Sequence, residues 1–263
     1  MNKPYYSFNT YLKERFNKKV YKICVDAGFT CPNRDGTKGI NGCIYCNNDA
    51  FTIVRRDCIK EDRLSSEPAG SVNDRTNIPL PSLEQQIEQG KKKLAAHYKA
   101  EAFILYFQPY SNTYASLQKL KEAYDYVYYD NDIVGLSIGT RPDCVNEEIL
   151  TFIEAYAKDK EVWIEYGLES SHNKTMQVIN RGHTWEDFLE AVQMTSNRPI
   201  KICVHIIFGL PGESRADMLE TVRRISRLPI HAVKFHPLHI VKGSVLYERG
   251  KLEDGIWKVE LPE

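Results

Sequence analysis

Short apolar runs alternate with amphipathic stretches at intervals of about thirty residues, and that rhythm sets the expected architecture. VYKICVDAG (20–28), AFILYF (102–107), DIVGLSIGT (132–140), EVWIEYGLE (161–169), KICVHIIFGL (201–210) and HAVKFHPL (231–238) read as strands. Each is β-branched or continuously apolar and too short for a core helix. Between them the apolar positions fall on helical faces. Residues 7–16 carry Phe8, Leu12 and Phe16 on one face. Ser82 to Gln85 forms a capping box that opens a helix with Leu83, Ile87, Leu94 and Tyr98 on one side. Further helices are expected over 114–129 (rich in tyrosine, read as packing residues), 147–158, 172–180, 184–196 and 214–226. Thr184 supplies a cap just after the Arg181-Gly-His183 connection.

This succession is the βαβ rhythm of a parallel sheet. Repeated right-handed units curl either into an open doubly wound sheet or into a barrel. Periodicity alone leaves that choice open. Every unusual motif follows a strand, and barrels place their active sites at the C-terminal strand ends. Residues 55–82 interrupt the rhythm with a polar segment holding Ser65, Ser66, Pro68, Gly70, Pro79 and Pro81, read as a variable insertion.

Composition narrows the class. The chain has 263 residues, 42% hydrophobic and 27% charged, as in ordinary globular proteins. Its longest apolar run, ICVHIIFGL, falls far short of the roughly 20 residues of a membrane helix. MNKPYYSFNTYLKERF has no apolar signal core, and seven unevenly clustered cysteines fit a reducing cytoplasm better than a disulfide framework. Formal net charge is zero, so no global field advertises a nucleic acid. Local basic groups remain, among them Arg55 with Arg56, Lys91 to Lys93, and Lys242 after the sixth strand.

The densest chemistry lies in GFTCPNRDGTKGINGCIYCNN (28–48). Cys31, Cys43 and Cys46 sit in a loop whose Gly, Pro, Asn and Asp content denies it regular structure. The closing Cys-x-x-Cys lets two thiolates converge on one centre, and the glycines and Pro32 turn the backbone so that Cys31 can join them. Three soft thiolates suit zinc or an iron–sulfur cluster. Structural zinc wants four closed ligands, whereas three cysteines leave one cluster iron open. Cys24 reads as a core residue, and Cys58, Cys144 and Cys203 are not counted as ligands.

With this loop stand YFQPYSNTY, SIGTRPD, EYGLESS followed by INRGH, HIIFGLPGE and KFHPLHIVKGS, in that order. Together these stretches resemble the radical S-adenosylmethionine (SAM) superfamily. In particular they resemble its YhcC/YtqA-like family, related to the radical SAM domain of the elongator catalytic subunit. The resemblance implies one domain over 1–263 with the partial (β/α)6 barrel of that superfamily. Relatives often carry a further helical segment after the sixth unit, so a missing C-terminal segment is expected.

The resemblance also implies cofactors and roles. Cys31, Cys43 and Cys46 would each ligate one iron of a 4Fe–4S cluster, and SAM would chelate the fourth through its amino and carboxylate groups. An electron then cleaves the sulfonium to give a 5′-deoxyadenosyl radical. Tyr45 matches the aromatic that packs beside the adenine. Gln108, Ser111, Asn112 and Thr113 stand in for the glycine-rich motif that binds the SAM amino group. Glu169 matches a residue turned toward the ribose, and Arg181 an arginine that pairs with the SAM carboxylate through its fork. His205 occupies the place of a ribose-binding Asp, and Gly209 opens the turn that cradles the adenine. His236 and His239 read as substrate contacts or polar core. Arg141 and Asp143 read as a bridge between loops.

Implied partners are an electron donor of the flavodoxin or ferredoxin type and tRNA. The implied reaction is remodelling of the wobble-uridine C5 side chain, in one version conversion of carboxymethylaminomethyluridine to aminomethyluridine. A small-molecule substrate such as a tetrapyrrole, or a zinc-binding interaction module, are the alternatives.

Overall fold

Six strands, β1 (Val20–Val25), β2 (Ala102–Phe107), β3 (Ile133–Thr140), β4 (Glu161–Glu169), β5 (Lys201–Phe208) and β6 (Ala232–Pro237), form one all-parallel sheet in sequence order. A doubly wound sheet would reverse its strand order at a switch point. This order never reverses, so the sheet curls as the expected partial (β/α)6 barrel. β1 and β6 do not pair with each other, which leaves the barrel open on one side. The computed structural model describes residues 5–48, 80–253 and 256–259. Arg55, Arg56, Cys58 and nearly all of the insertion expected at 55–82 lie outside them.

The helices follow the sequence pattern closely where caps mark their ends. They are α1 (Phe8–Phe16), α2 (Leu83–Tyr98), α3 (Leu117–Tyr124), α4 (Glu147–Glu154), α5 (Asn173–Val178), α6 (Trp185–Ser196), α7 (Arg215–Ile225) and α8 (Val245–Glu248). Ser82 and Gln85 form the expected capping box, so 81–82 belong to the start of α2 rather than to the insertion. Thr184 with Asp187 and Ser214 with Asp217 form two more. The tyrosine-rich helix expected over 114–129 is shorter. Ser116 caps it, and its last turn tightens into a 3₁₀ segment over Asp125–Tyr128. Tyr98 does not join the buried face of α2. It is 54% exposed and stacks on Tyr21. After β6 the chain adds α8 and a short antiparallel pair, β7 (Gly250–Glu253) and β8 (Ile256–Val259), which periodicity had not announced. Among the described residues no helix is long and apolar enough to cross a membrane.

Alternation along the strands sorts the two faces. Ile23, Leu105, Ile138, Ile164 and Val204 pack under the helices in one apolar core. The opposite set, including Lys22, Tyr106, Ser137, Glu165, His205 and Lys234, turns into the barrel. α1 closes the end of the barrel opposite the motif loops. Phe8 and Tyr11 meet the buried Trp163 of β4 edge-on, with ring centroids 5.2 and 5.6 Å away. The Tyr11 hydroxyl donates to Glu161, and Arg15 pairs with the same carboxylate at 3.4 Å.

This plug makes Trp163 the point where sheet and N-terminal helix share one contact. Trp163→Ala is expected to cost about 3–5 kcal/mol and to release α1. Urea unfolding checks the loss, and hydrogen exchange in α1 should rise more than in α6. A variant with wild-type midpoint and unchanged exchange would contradict the plug.

Candidate functional site

The cysteine loop is built from its own backbone. The Cys31 carbonyl accepts from Arg34 and Asp35, and that of Pro32 from Lys38 and Gly39. The Asn33 carbonyl accepts from Gly42 at 2.7 Å, which folds the excursion back and delivers Cys43 beside Cys31. Gly42 sits at φ +69°, and a Cβ there would meet the Arg34 guanidinium at 2.9 Å. Only glycine satisfies both demands. A turn from Cys43 to Cys46 brings the last thiol round. All three thiols line one cavity at the C-terminal ends of the strands.

Two side chains of the loop, overlooked in the sequence, hold the cysteines. The Asn33 amide reaches the Cys43 sulfur at 3.8 Å and donates to the Asn180 carbonyl. Arg34 donates to the Cys46 carbonyl at 2.8 Å. Burial and the neighbouring Cys43 push the Cys46 thiol up, and Arg34 pulls it back. In the other direction, the Asn180 amide donates to the Gly42 carbonyl at 2.7 Å. The INRGH segment thus clamps the loop through Asn180 as well as through Arg181.

Arg181 is the buried centre of the arrangement. Its Nη1 lies 3.4 Å from the Cys43 sulfur, its Nη2 donates to the Gly167 carbonyl at 2.6 Å, and Glu169 stands 3.5 Å away. Glu169 itself occupies a left-handed backbone position, φ +73°, at a register shift between β4 and β5. Gly167 lets both approach, since a Cβ there would meet the Arg181 Nη2 at 2.6 Å and the Glu169 carboxylate at 2.7 Å. Beneath it Arg141, fully buried, forks onto Asp143 at 2.9 and 2.8 Å and donates to the Arg181 carbonyl. Lys38 of the cysteine loop also binds Asp143. The pair is a bridge between loops, as expected. Burial opposes ionisation of Asp143, but Arg141 and Lys38 outweigh it and lower its pKa to about 2.

Deeper in the cavity lies a charged layer. Glu165, fully buried, accepts from Lys22, from Ser137 at 2.5 Å and from His205 at 2.7 Å, with Lys234 at 3.9 Å. Burial works against its charge, yet Lys22, His205 and Lys234 hold its carboxyl well below the usual range.

Among the residues singled out from the sequence, Tyr45, Gln108, Ser111, Glu169, Arg181 and His205 line the same cavity as the cysteines. Asn112, Thr113 and Gly209 do not. The Asn112 amide donates to the carbonyls of Phe107, Pro109 and Gly139, and Thr113 binds Thr140 and the Cys144 carbonyl. Both lock the turn that presents Ser111. Gly209, at φ +84°, donates its N–H to the Met218 sulfur. His205 lines the cavity and binds Glu165 on the barrel floor through its Nε2. His236 joins that floor and lines the cavity, whereas His239 is exposed and does not line it.

These residues fit the implied groups. Three soft thiols converge on one cavity, and Cys24, Cys144 and Cys203 do not line it. Burial pushes the Cys144 and Cys203 thiols up to about 12. Beside the three stand two buried atoms without a hydrogen-bond partner, the Ser111 hydroxyl and the Arg181 Nε. A guanidinium N–H and a hydroxyl left open suit the carboxylate and amino group of an amino-acid moiety.

Comparison with known proteins agrees with this chemistry. A family model described as the Radical SAM superfamily matches residues 31–225. Protein YhcC of Escherichia coli K12 is 37% identical over 246 residues, 92% of this chain and 71% of YhcC. The tRNA uridine(34) acetyltransferase of Methanocaldococcus infernus is 31% identical over 122 residues, 45% of this chain and 22% of that protein. Among solved structures, archaeal Methanocaldococcus infernus Elp3 lacking residues 1–46 superposes with a TM-score of 0.52 at 18% identity. That match covers 87% of this chain and 48% of the Elp3 chain, so this chain spans about half of that structure. It shows a shared fold.

The Arg141–Asp143 bridge yields an acid-limb prediction. A carboxyl with a lowered folded pKa stabilises above its unfolded value near 4, and that stability is lost as pH falls toward about 2. Asp143→Asn should therefore cost roughly 2–5 kcal/mol at neutral pH, since it also strands a buried guanidinium. The gap from wild type should narrow as pH falls from about 4 to about 2. Urea midpoints against pH measure it, and a gap unchanged across that window would contradict the assignment.

Proposed function

This chain belongs to the Radical SAM superfamily and within it to the YhcC/YtqA-like family, and from that premise we propose that it is a tRNA-modifying enzyme. It works with a 4Fe–4S cluster and SAM on the C5 side chain of the wobble uridine. The observation that carries the reading is the convergence of Cys31, Cys43 and Cys46 with the unpartnered Arg181 Nε on one cavity at the strand ends. The nucleic-acid substrate is supported by the similarity to a tRNA uridine(34) acetyltransferase.

When bound, the two cofactors supply one-electron cleavage of the sulfonium and abstraction of a substrate hydrogen. The protein's part is to bind, orient and exclude water. The three cysteines hold the cluster, with Asn33 and Arg34 fixing their loop. Arg181 stands between Cys43 and Glu169, so one guanidinium can address a cofactor carboxylate while Gly167 anchors it. Ser111 would offer its hydroxyl to the SAM amino group, and Glu169 would serve its ribose. Tyr45 and Gln108 wall the cavity. Tyr106, Glu165 and His236 form its floor, where the substrate side chain would be presented. We assign the reaction as removal of the carboxymethyl group from carboxymethylaminomethyluridine. The carbon between amine and carboxylate loses a hydrogen atom and then an electron, which passes to the redox partner. Water cleaves the resulting C=N bond to give aminomethyluridine and glyoxylate. The reductant is of the flavodoxin or ferredoxin type, in the cytoplasm. Lys242 belongs to the substrate-facing rim, because its carbonyl accepts from Asn47 of the cysteine loop at 2.7 Å.

Nucleoside profiling of tRNA from a strain lacking this gene tests the reading. Carboxymethylaminomethyluridine should accumulate at the wobble position and aminomethyluridine and its derivatives disappear. A wobble profile identical to the parent strain would remove the substrate assignment.

A further inference from the structure

The charged layer on the barrel floor has more cation than its own carboxylate needs. Lys22 and Lys234 both address Glu165, Lys22 by a hydrogen bond and Lys234 at 3.9 Å. One ammonium neutralises Glu165, and the other is left over. Both also flank the buried Tyr106 ring, with nitrogens 4.5 and 5.1 Å from its centroid. The ring face attracts both ammoniums without cancelling their charge. Beside Lys234, the His236 ring packs 5.2 Å from His205, and its buried Nε2 has no hydrogen-bond partner. Lys234, His236 and Glu165 line the same cavity as the three cysteines.

Glu165, Cys203 and His205 also bring three donor atoms within 4.8 Å of one another, which raises a metal ion as occupant. The surroundings oppose it. Lys22 already occupies the carboxylate, Lys234 adds a second positive charge, and burial keeps the Cys203 thiol protonated with a pKa pushed up to about 12. A cation would meet repulsion; an anion would not.

We propose that Lys234 and His236 form a carboxylate-binding subsite that receives a singly charged acid group of the substrate beneath the cofactors. Two donors, an ammonium and an imidazole N–H, match the two oxygens of a carboxylate. One uncompensated ammonium matches one negative charge, whereas a phosphate monoester brings nearly two. The subsite deepens the reading given above and rests on it for the identity of the acid. A carboxymethylamino side chain carries such a group. Lys234 thereby becomes a specificity residue, selecting the acid-bearing substrate and losing hold of the product once that acid has left.

The test uses a probe without nucleic acid, N-butylglycine, against N-butylglycinamide, which keeps the amine and replaces the carboxylate with a neutral amide group. Both are measured above about pH 9, so that the amide's amine is neutral. Binding of each to cluster-loaded protein with SAM is followed by ligand-observed NMR. The acid should bind roughly ten- to a hundred-fold more tightly than the amide, the worth of a charge-assisted contact. Lys234→Met should abolish that preference and Lys234→Arg retain it. Glu165 keeps Lys22 and His205 when Lys234 is replaced, so these variants leave no charge buried alone, and urea midpoints check that they fold. Lys22 is avoided, because its loss would strand Glu165. Equal affinity for acid and amide, absence of acid binding to wild type, or a preference that survives Lys234→Met would each overturn the subsite. A preference that follows Lys234 alongside an unchanged tRNA profile would overturn the nucleic-acid substrate and leave the subsite standing.

Discussion

One buried guanidinium joins the parts of this protein that matter for its chemistry. Arg181 touches the Cys43 sulfur, the Gly167 carbonyl and Glu169, so the cysteine loop, the end of β4 and the α5–α6 connection meet on a single side chain. An unpaired buried charge is costly, and here the cost is met by partners drawn from two separate stretches of chain, the cysteine loop and the end of β4. Arg141 reinforces the join from below through the Arg181 carbonyl. The fork of an arginine is needed for this, since a lysine offers no planar set of donors to serve several acceptors at once.

The parallel sheet supplies the second constraint. Because its strands run in one direction, all their C-terminal loops open on one end, and the α1 plug with Trp163 closes the other. The barrel interior then need not be apolar throughout. It carries a satisfied carboxylate, Glu165, with two lysines and two histidines around it. The layer lies below the cysteines and is open to the same cavity. Such a layer costs stability compared with a hydrocarbon core of the same volume. Its place under the site argues for a role in what enters from above.

How much of this was readable beforehand follows from where each signal lives. The strands, capped helices and cysteine loop were legible because periodicity, caps and turn residues are local. The partial barrel needed the family resemblance, since strand order is a property of the whole chain. Arg181 was legible as part of a motif, but Asn180 and Asn33 were not, because their mutual clamp spans 147 positions. Asn112 and Thr113 lie in the loop that the resemblance gives to the cofactor, yet which way a side chain turns there is set by tertiary partners, here the Gly139 carbonyl and Thr140. Lys22, Glu165 and Lys234 passed unnoticed as members of apolar strands. A charged residue inside a parallel strand was the available signal, since such strands are covered on both faces.

The central claim is that Cys31, Cys43 and Cys46 hold an iron–sulfur cluster with one iron open to SAM. Metal and sulfide analysis of anaerobically reconstituted protein, wild type beside Cys43→Ala, tests it most directly. The account predicts about four irons and four sulfides per chain in the wild type, an EPR signal of the reduced cluster that changes when SAM is added, and loss of both iron and signal in the variant. One tightly bound zinc with no iron, or full iron retained without Cys43, would contradict it.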